Sequence, residues 1–155
     1  MKDRPEREVQ MSGIVVGIDG SHNASHALEW AMTEAAIRKA PLTVITVNSV
    51  PASYWSGAPV ELPSDHEKVA EIRKTAEEAV AKAAEKLGAG RPESVTVTAL
   101  SGFPAQTLID SARGSDLLVV GTRGGGGFAA LILGSVCSQV VHHAPCPVVV
   151  VPAGK

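Results

Sequence analysis

The chain has 155 residues, of which 45% are hydrophobic and 19% are charged, and its formal net charge is −2. This composition is typical of one folded domain and excludes an intrinsically disordered chain. The charge balance gives no reason to expect nucleic-acid binding. No apolar run approaches the length of a bilayer span, so we expect no membrane association.

The N-terminal residues and the two cysteines suggest where the protein is found. Residues 1–11 are mostly polar and contain Pro5, so we expect a disordered tail without a secretory signal and a folded domain over 12–155. Cys137 and Cys146 lack the spacing of a redox motif or a zinc site. We therefore interpret them as structural thiols, rather than a disulfide or a metal pair, in a reducing cytoplasm.

In the first half of the chain, buried-strand patterns alternate with helical ones. The β-branched run over 14–18 predicts a strand, and Ser21 is positioned to cap the helix that follows. Pro41 ends that helix, and residues 42–47 form the next strand pattern. The Pro- and Gly-containing stretch over 48–63 predicts an irregular loop.

The second half repeats this alternation. Ser64 begins a capping box for a long helix ending at Gly88 and Gly90, and a strand pattern covers 94–100. Pro104 suits the first turn of a short helix. The remaining predicted elements are a strand over 117–120, a glycine-rich loop, a helix from Ser135 and a last strand over 148–151.

The order of these elements defines a fold class. Strands alternating with helices predict an α/β fold, a single-domain doubly wound five-stranded parallel sheet with helices on both faces. In the strand order 3-2-1-4-5, the winding direction reverses between the first and fourth strands, where such sheets bind ligands. Residues 17–20 and 121–124 should meet at that point.

The loop from Gly121 to Gly134 contains six glycines and leads into the helix at Ser135. Glycine allows a ligand to approach the main chain closely, and successive backbone N–H groups form an anion-binding concavity. A helix N-terminus also favours phosphate. The loop therefore indicates a site for a di- or triphosphate, and the alternative is a flexible lid that binds nothing.

Two other phosphate motifs fit this loop less well. The sequence has no G-x-x-x-x-G-K-[ST] pattern and hence no P-loop lysine. Gly124, Gly126 and Ala129 formally satisfy G-x-G-x-x-A, but no acidic residue follows about 20 positions later to bind a ribose.

The spacing of Gly121, Gly124, Gly134 and Ser135 resembles the G-x2-G-x9-G-[ST] signature of the universal stress protein family, in its nucleotide-binding branch. The resemblance extends over 12–152 and includes residues 17–21, 115–121 and 143–148. It implies a five-stranded α/β fold, a dimer and binding of an adenine nucleotide. ATP, with Mg²⁺ on its phosphates, is the first expectation, and cyclic AMP or AMP are the alternatives.

The resemblance also assigns roles to individual residues. It implies that the phosphates and ribose contact Gly121, Gly124, Gly134, Ser135 and Val136.

Further expected contacts come from the other strand ends. Gly17 is expected to contact the nucleotide. Asp19, two residues later, is implied by the resemblance to bind a phosphate-bound metal or the ribose; alternatively, Asp19 only complements the dipole of the next helix. The adenine should meet main chain near Val47, and Gly102 should lie on the rim. Arg123 either pairs with phosphate or points to solvent.

We expect no enzyme here, because the site segments contain no committed catalytic set. The prediction is a regulatory stress-response protein with at most slow ATP hydrolysis, and the alternative is a nucleotide-independent dimeric interaction module. His142 and His143 fit no catalytic pattern, so we assign them a structural role. The apolar edge strand over Val148–Val151 predicts a homodimer with an isologous interface.

Overall fold

The computed structural model describes residues 13–49, 65–122 and 133–153. The predicted tail over 1–11, residues 50–63 of the loop predicted over 48–63, and the cap at Ser64 lie outside the described residues. In chain order the elements are β1 (Ile14–Ile18), α1 (His22–Arg38), β2 (Leu42–Ser49), α2 (Asp65–Leu87), a 3-10 turn (Gly88–Gly90), β3 (Val95–Gly102), α3 (Pro104–Ser111), β4 (Leu117–Gly121), α4 (Ser135–His143) and β5 (Val148–Val151).

All the strand pairs are parallel, and their order is β3-β2-β1-β4-β5. The sheet separates two cores. One lies under α1 and α2 and includes Ile14, Val16 and Leu28, and the other lies under α3 and α4 and includes Val15 and Leu118. The predicted doubly wound fold with helices on both faces is confirmed.

The helix boundaries follow local signals in the sequence. The Oγ of Ser21 accepts a hydrogen bond from the Ala24 N–H at 3.2 Å, which satisfies one free donor of the first turn of α1. Lys39 ends the same helix in the left-handed conformation, with φ 53°. Pro104 occupies the first turn of α3, where its missing N–H is not needed.

Two strands are longer than their sequence pattern indicates. β2 continues to Ser49 and β3 to Gly102, two residues past each predicted end. The added residues pair with one another, Asn48 with Ser101 and Ser49 with Gly102. The backbone ladder therefore extends beyond the point where side chains cease to be apolar.

Both cysteines are free thiols in the core under α3 and α4, in agreement with the predicted structural role. Cys137 is buried and Cys146 is half-buried, and burial raises the pKa of each thiol; the charge of Asp116 adds to the effect on Cys146. Within the described ranges, no helix is both long enough and apolar enough to cross a membrane.

Candidate functional site

A crevice opens between β1 and β4 at the carboxyl ends of the strands. The two strands pair only up to Val16 and Val119. Beyond that level β1 stays paired with β2 as far as Ile18, and β4 stays paired with β5 as far as Gly121. Each strand thus follows its outer neighbour and the centre of the sheet separates, as expected where the winding direction reverses.

The glycine-rich loop leaves and returns at one side of this crevice. The Thr122 N–H donates to the Val151 carbonyl at 3.1 Å, and the Gly134 N–H donates to the Thr122 carbonyl at 2.7 Å. These bonds join the two ends of the loop at the edge of the sheet. Thr122 was not predicted as a site residue. Its position between Gly121 and Gly124 is the one sequence signal for its role in joining β4 to α4.

Helix α4 begins directly after that junction. Its N-cap is Gly134, with ordinary extended backbone (φ −70°, ψ 169°) and no side-chain hydrogen bond to the first turn. Ser135 is exposed and Val136 half-buried at the start of the helix. Free N–H groups and the positive end of the helix dipole make such a terminus suited to an anion.

Asp19 stands at the opposite side of the crevice, immediately after β1. Its side chain is exposed, and Oδ1 accepts a hydrogen bond from the Ser21 N–H at 2.9 Å. One carboxylate oxygen therefore shapes the turn into α1, as the alternative interpretation of this residue requires. The second oxygen, Oδ2, is not used in that turn, so contact with a ligand stays a prediction.

The backbone of Val47 faces the crevice side of β2. The Leu42 N–H donates to the Ser94 carbonyl on the β3 side, whereas the Pro41 carbonyl accepts from Ile14 on the β1 side. Because backbone directions alternate along a strand, the Val47 carbonyl also faces β1, beyond its last paired residue, Ile18. This carbonyl can accept a hydrogen bond from a donor in the crevice.

Two of the predicted site glycines have a role within the protein itself. A Cβ on Gly17 would lie 2.7 Å from both Cδ atoms of Leu108 on α3. A Cβ on Gly102, whose φ is +153°, would lie 2.8 Å from the Oγ1 of Thr107. Both glycines let α3 pack closely against the sheet, which is a reason that the sequence did not reveal, and their contact with a ligand stays a prediction.

The remaining predicted positions are distributed as follows. Gly121 ends β4 at the crevice, whereas Arg123 and Gly124 lie outside the described residues. Among the residues that the structure describes, no three His, Cys, Asp or Glu side chains form a group that could hold a metal ion. A magnesium ion at Asp19 stays a prediction that would depend on nucleotide phosphates for its other ligands.

Other features of the protein lie away from the crevice. His142 and His143 are exposed in the last turn of α4, and His142 Nδ1 lies 2.7 Å from the Ser138 carbonyl. A second concave surface follows α2 at the amino-terminal edge of the strands, and it is lined by Ala84, Glu85, Gly88, Ala89, Arg91, Pro92 and Glu93. It shares no residue with the predicted site.

Comparison with known proteins agrees with this architecture. The profile of the universal stress protein family matches residues 11–152, and the chain therefore belongs to that family. A universal stress protein from Mycobacterium tuberculosis is 35% identical over 139 residues, covering 90% of this chain and 47% of that protein. The chain thus spans about half the length of the curated relatives it matches.

Solved structures show the same fold. The universal stress protein UspA from Lactobacillus plantarum superposes with a TM-score of 0.70 at 25% identity, covering 91% of this chain and 97% of that one. A universal stress protein in complex with cAMP superposes with a TM-score of 0.67 at 26% identity, covering 91% and 96% of the two chains.

Proposed function

We propose that this chain is a cytoplasmic stress-response regulator that binds an adenine nucleotide, with ATP as the preferred ligand, in the crevice between β1 and β4. The observation that carries this proposal is the junction of Gly134 with Thr122, which brings two of the signature glycines, Gly121 and Gly134, together at the uncapped start of α4. Phosphate oxygens at this point would meet backbone donors and the positive end of a helix.

The opposite wall of the crevice suits an adenine base. The Val47 carbonyl faces the space beyond Ile18 and can accept a hydrogen bond from the exocyclic amino group of adenine. The similar protein solved with cAMP supports the same class of ligand. Cyclic AMP and AMP remain the competing ligands, since residues 123–132, where a γ-phosphate would be held, lie outside the described part of the chain.

The proposed role is regulatory, with at most slow hydrolysis. Asp19 is the one acidic side chain among the predicted site residues, and it already accepts the Ser21 N–H. Orienting an attacking water usually needs a further group near the γ-phosphate. We expect a steady ATPase rate well below about 1 per second, the low end for ordinary enzymes.

Binding can be tested by identifying the small molecules released when freshly purified protein is denatured, using mass spectrometry. Titration calorimetry with ATP, AMP and cyclic AMP should then compare the native chain with a Gly124→Asp variant. A side chain and a negative charge in the phosphate cradle should abolish binding. Gly90→Asp is the matched control, because a Cβ at Gly90 meets nothing within 4 Å and the residue is remote from the crevice.

The outcomes separate two functional classes. Loss of affinity in Gly124→Asp with retention in Gly90→Asp supports the proposed site. Unchanged nucleotide affinity in both variants rejects it. A chain that binds none of the three nucleotides and still dimerises would instead fit a nucleotide-independent interaction module.

We also propose that two copies associate through β5. Val148, Val149, Val150 and Val151 form an outer strand of the sheet, and each is half-buried within the single chain. Pro147 and Val151 direct their carbonyls to β4, where they accept from Leu118 and Thr122. By the alternation of strand backbone, Val148 and Val150 direct their N–H groups to the free edge, ready to pair with another strand.

This geometry specifies the test for the dimer. Val150→Pro removes one outward N–H without removing a bond to β4, so it should shift sedimentation from a dimer to a 16.0 kDa monomer. Val150→Thr keeps the N–H and the branched side chain and should remain dimeric. A native chain that sediments only as a monomer would refute the interface.

A further inference from the structure

We propose that His22 and His26 form a binding site for a divalent transition metal, of the zinc type, on the first turns of α1. The two residues are four positions apart in α1, so their side chains lie on the same face of the helix. Two histidines at this spacing on a helix are a recurrent zinc-binding arrangement.

The separation of the two ring centroids is compatible with two ligands of one ion. Their centroids are 5.0 Å apart and their planes are inclined at 84°. With metal–nitrogen bonds of about 2.1 Å and a tetrahedral angle, two imidazole centroids would be roughly 5.3 Å apart. The observed centroid separation is close to this value, so rotation of the two rings about their side-chain bonds would let one nitrogen of each meet a single ion.

The polar atoms of His26 give a second, independent indication. Its Nε2 is buried and has no hydrogen-bond partner among the described residues. A buried polar atom without a partner is unfavourable, and native proteins contain few of them. A metal ion bound at Nε2 would supply the missing partner.

The composition of the site limits the metals that it can hold. Imidazole nitrogen binds Zn²⁺, Ni²⁺ and Cu²⁺ well, whereas Mg²⁺ prefers oxygen ligands. Among the described residues, the two histidines are the ligands of this site, and water would complete the coordination. The start of a helix also carries partial positive charge, which disfavours a cation. We therefore expect saturable binding that is weaker than in a four-ligand structural site.

Calorimetric titration of the untagged, nucleotide-free chain with Zn²⁺ tests this site. We expect one ion per chain. Loss of an outer-shell partner weakens metal binding by roughly 10–100-fold, so removing a direct ligand, by His22→Ala or His26→Ala, should weaken it by more than that. His22 is exposed, so its replacement should not unfold α1, and circular dichroism would check this for both variants. The matched control is His142→Ala with His143→Ala, whose rings are 6.3 Å apart and tilted at 46°.

A second measurement uses Trp30, which follows His26 by four residues on α1. In a Trp55→Phe background, Trp30 is the remaining tryptophan, and Cu²⁺ bound one turn away should quench its fluorescence. His26→Ala should remove the quenching. If Zn²⁺ does not bind saturably, if neither single variant weakens binding, or if the control pair removes it, the rings form only an aromatic contact and the proposal fails.

Discussion

Replacing Gly17 by alanine separates a packing role of this residue from a ligand-binding one. Gly17 lies on β1 at the level where the crevice opens, and it faces the core under α3. An alanine Cβ would lie 2.7 Å from Cδ1 and Cδ2 of Leu108 and 3.3 Å from its Cγ. Leu108 is 6% exposed, so its side chain has little space into which to move.

The cost follows from overpacking a closed core. Inserting one methyl group into a well-packed site costs about 1–3 kcal/mol. For a domain of this size, that corresponds to a fall in Tm of roughly 3–10 °C. Leu108→Val shortens the opposing side chain, so Gly17→Ala should cost less in that background, with a coupling of about 0.5–3 kcal/mol.

Urea denaturation of the two single variants and the double variant gives this coupling directly. Gly90→Ala is the control, and it should change the free energy of unfolding by no more than about 0.5 kcal/mol, because its Cβ enters open space. The packing explanation is refuted if Gly17→Ala unfolds with native stability. If Gly17→Ala keeps native stability but loses nucleotide affinity, Gly17 acts on the ligand instead.

Three further predictions concern other described residues. Ser21→Ala should lower the free energy of unfolding by about 0.5–2 kcal/mol in urea titration, because it removes the hydrogen bond that caps α1 at the Ala24 N–H. Ser21→Thr keeps a hydroxyl and should retain most of the native stability; equal losses in the two variants would contradict the capping role. Asp19→Asn keeps an oxygen for the Ser21 N–H but removes the charge, so calorimetry should find native stability and weaker Mg²⁺–nucleotide binding, and unchanged affinity would assign Asp19 to the turn alone. Burial raises the pKa of Cys137 and so lowers its thiolate fraction; in a Cys146→Ser background, a thiol reagent at pH 8 should label it far more slowly than in denatured protein, and equal rates would show that it is accessible.

The sequence predicted the features of the fold that depend on periodicity and caps. The run over 14–18, Ser21 and Pro104 each locate an element boundary through local chemistry, and the structure has them in those roles. The predicted C-terminal ends of β2 and β3 were wrong by two residues each. Asn48 and Ser101 are polar, but their backbones complete a ladder that local side-chain patterns do not encode.

The candidate site was predictable only in part, again because contacts between residues distant in the sequence are not encoded in local patterns. Its motif pattern predicted the start of α4, which the structure has at Ser135, but long-range packing decides what individual residues do. The contact of Gly17 with Leu108 joins residues 91 positions apart, and the role of Thr122 depends on its bonds to Gly134 and Val151. A glycine read from sequence does not reveal whether a ligand or a neighbouring leucine requires the missing side chain.

The hydrogen bond between Gly134 and Thr122 ties the end of β4 directly to the start of α4. Because this bond joins the residues on either side of 123–132, the relative position of β4 and α4 does not depend on the length of the segment between them. The entropy of closing a chain segment grows slowly with its length, by only about 0.6 kcal/mol for each doubling. Segments from other members of the family could therefore be exchanged at this junction, so that ligand preference could diverge while the same sheet is retained.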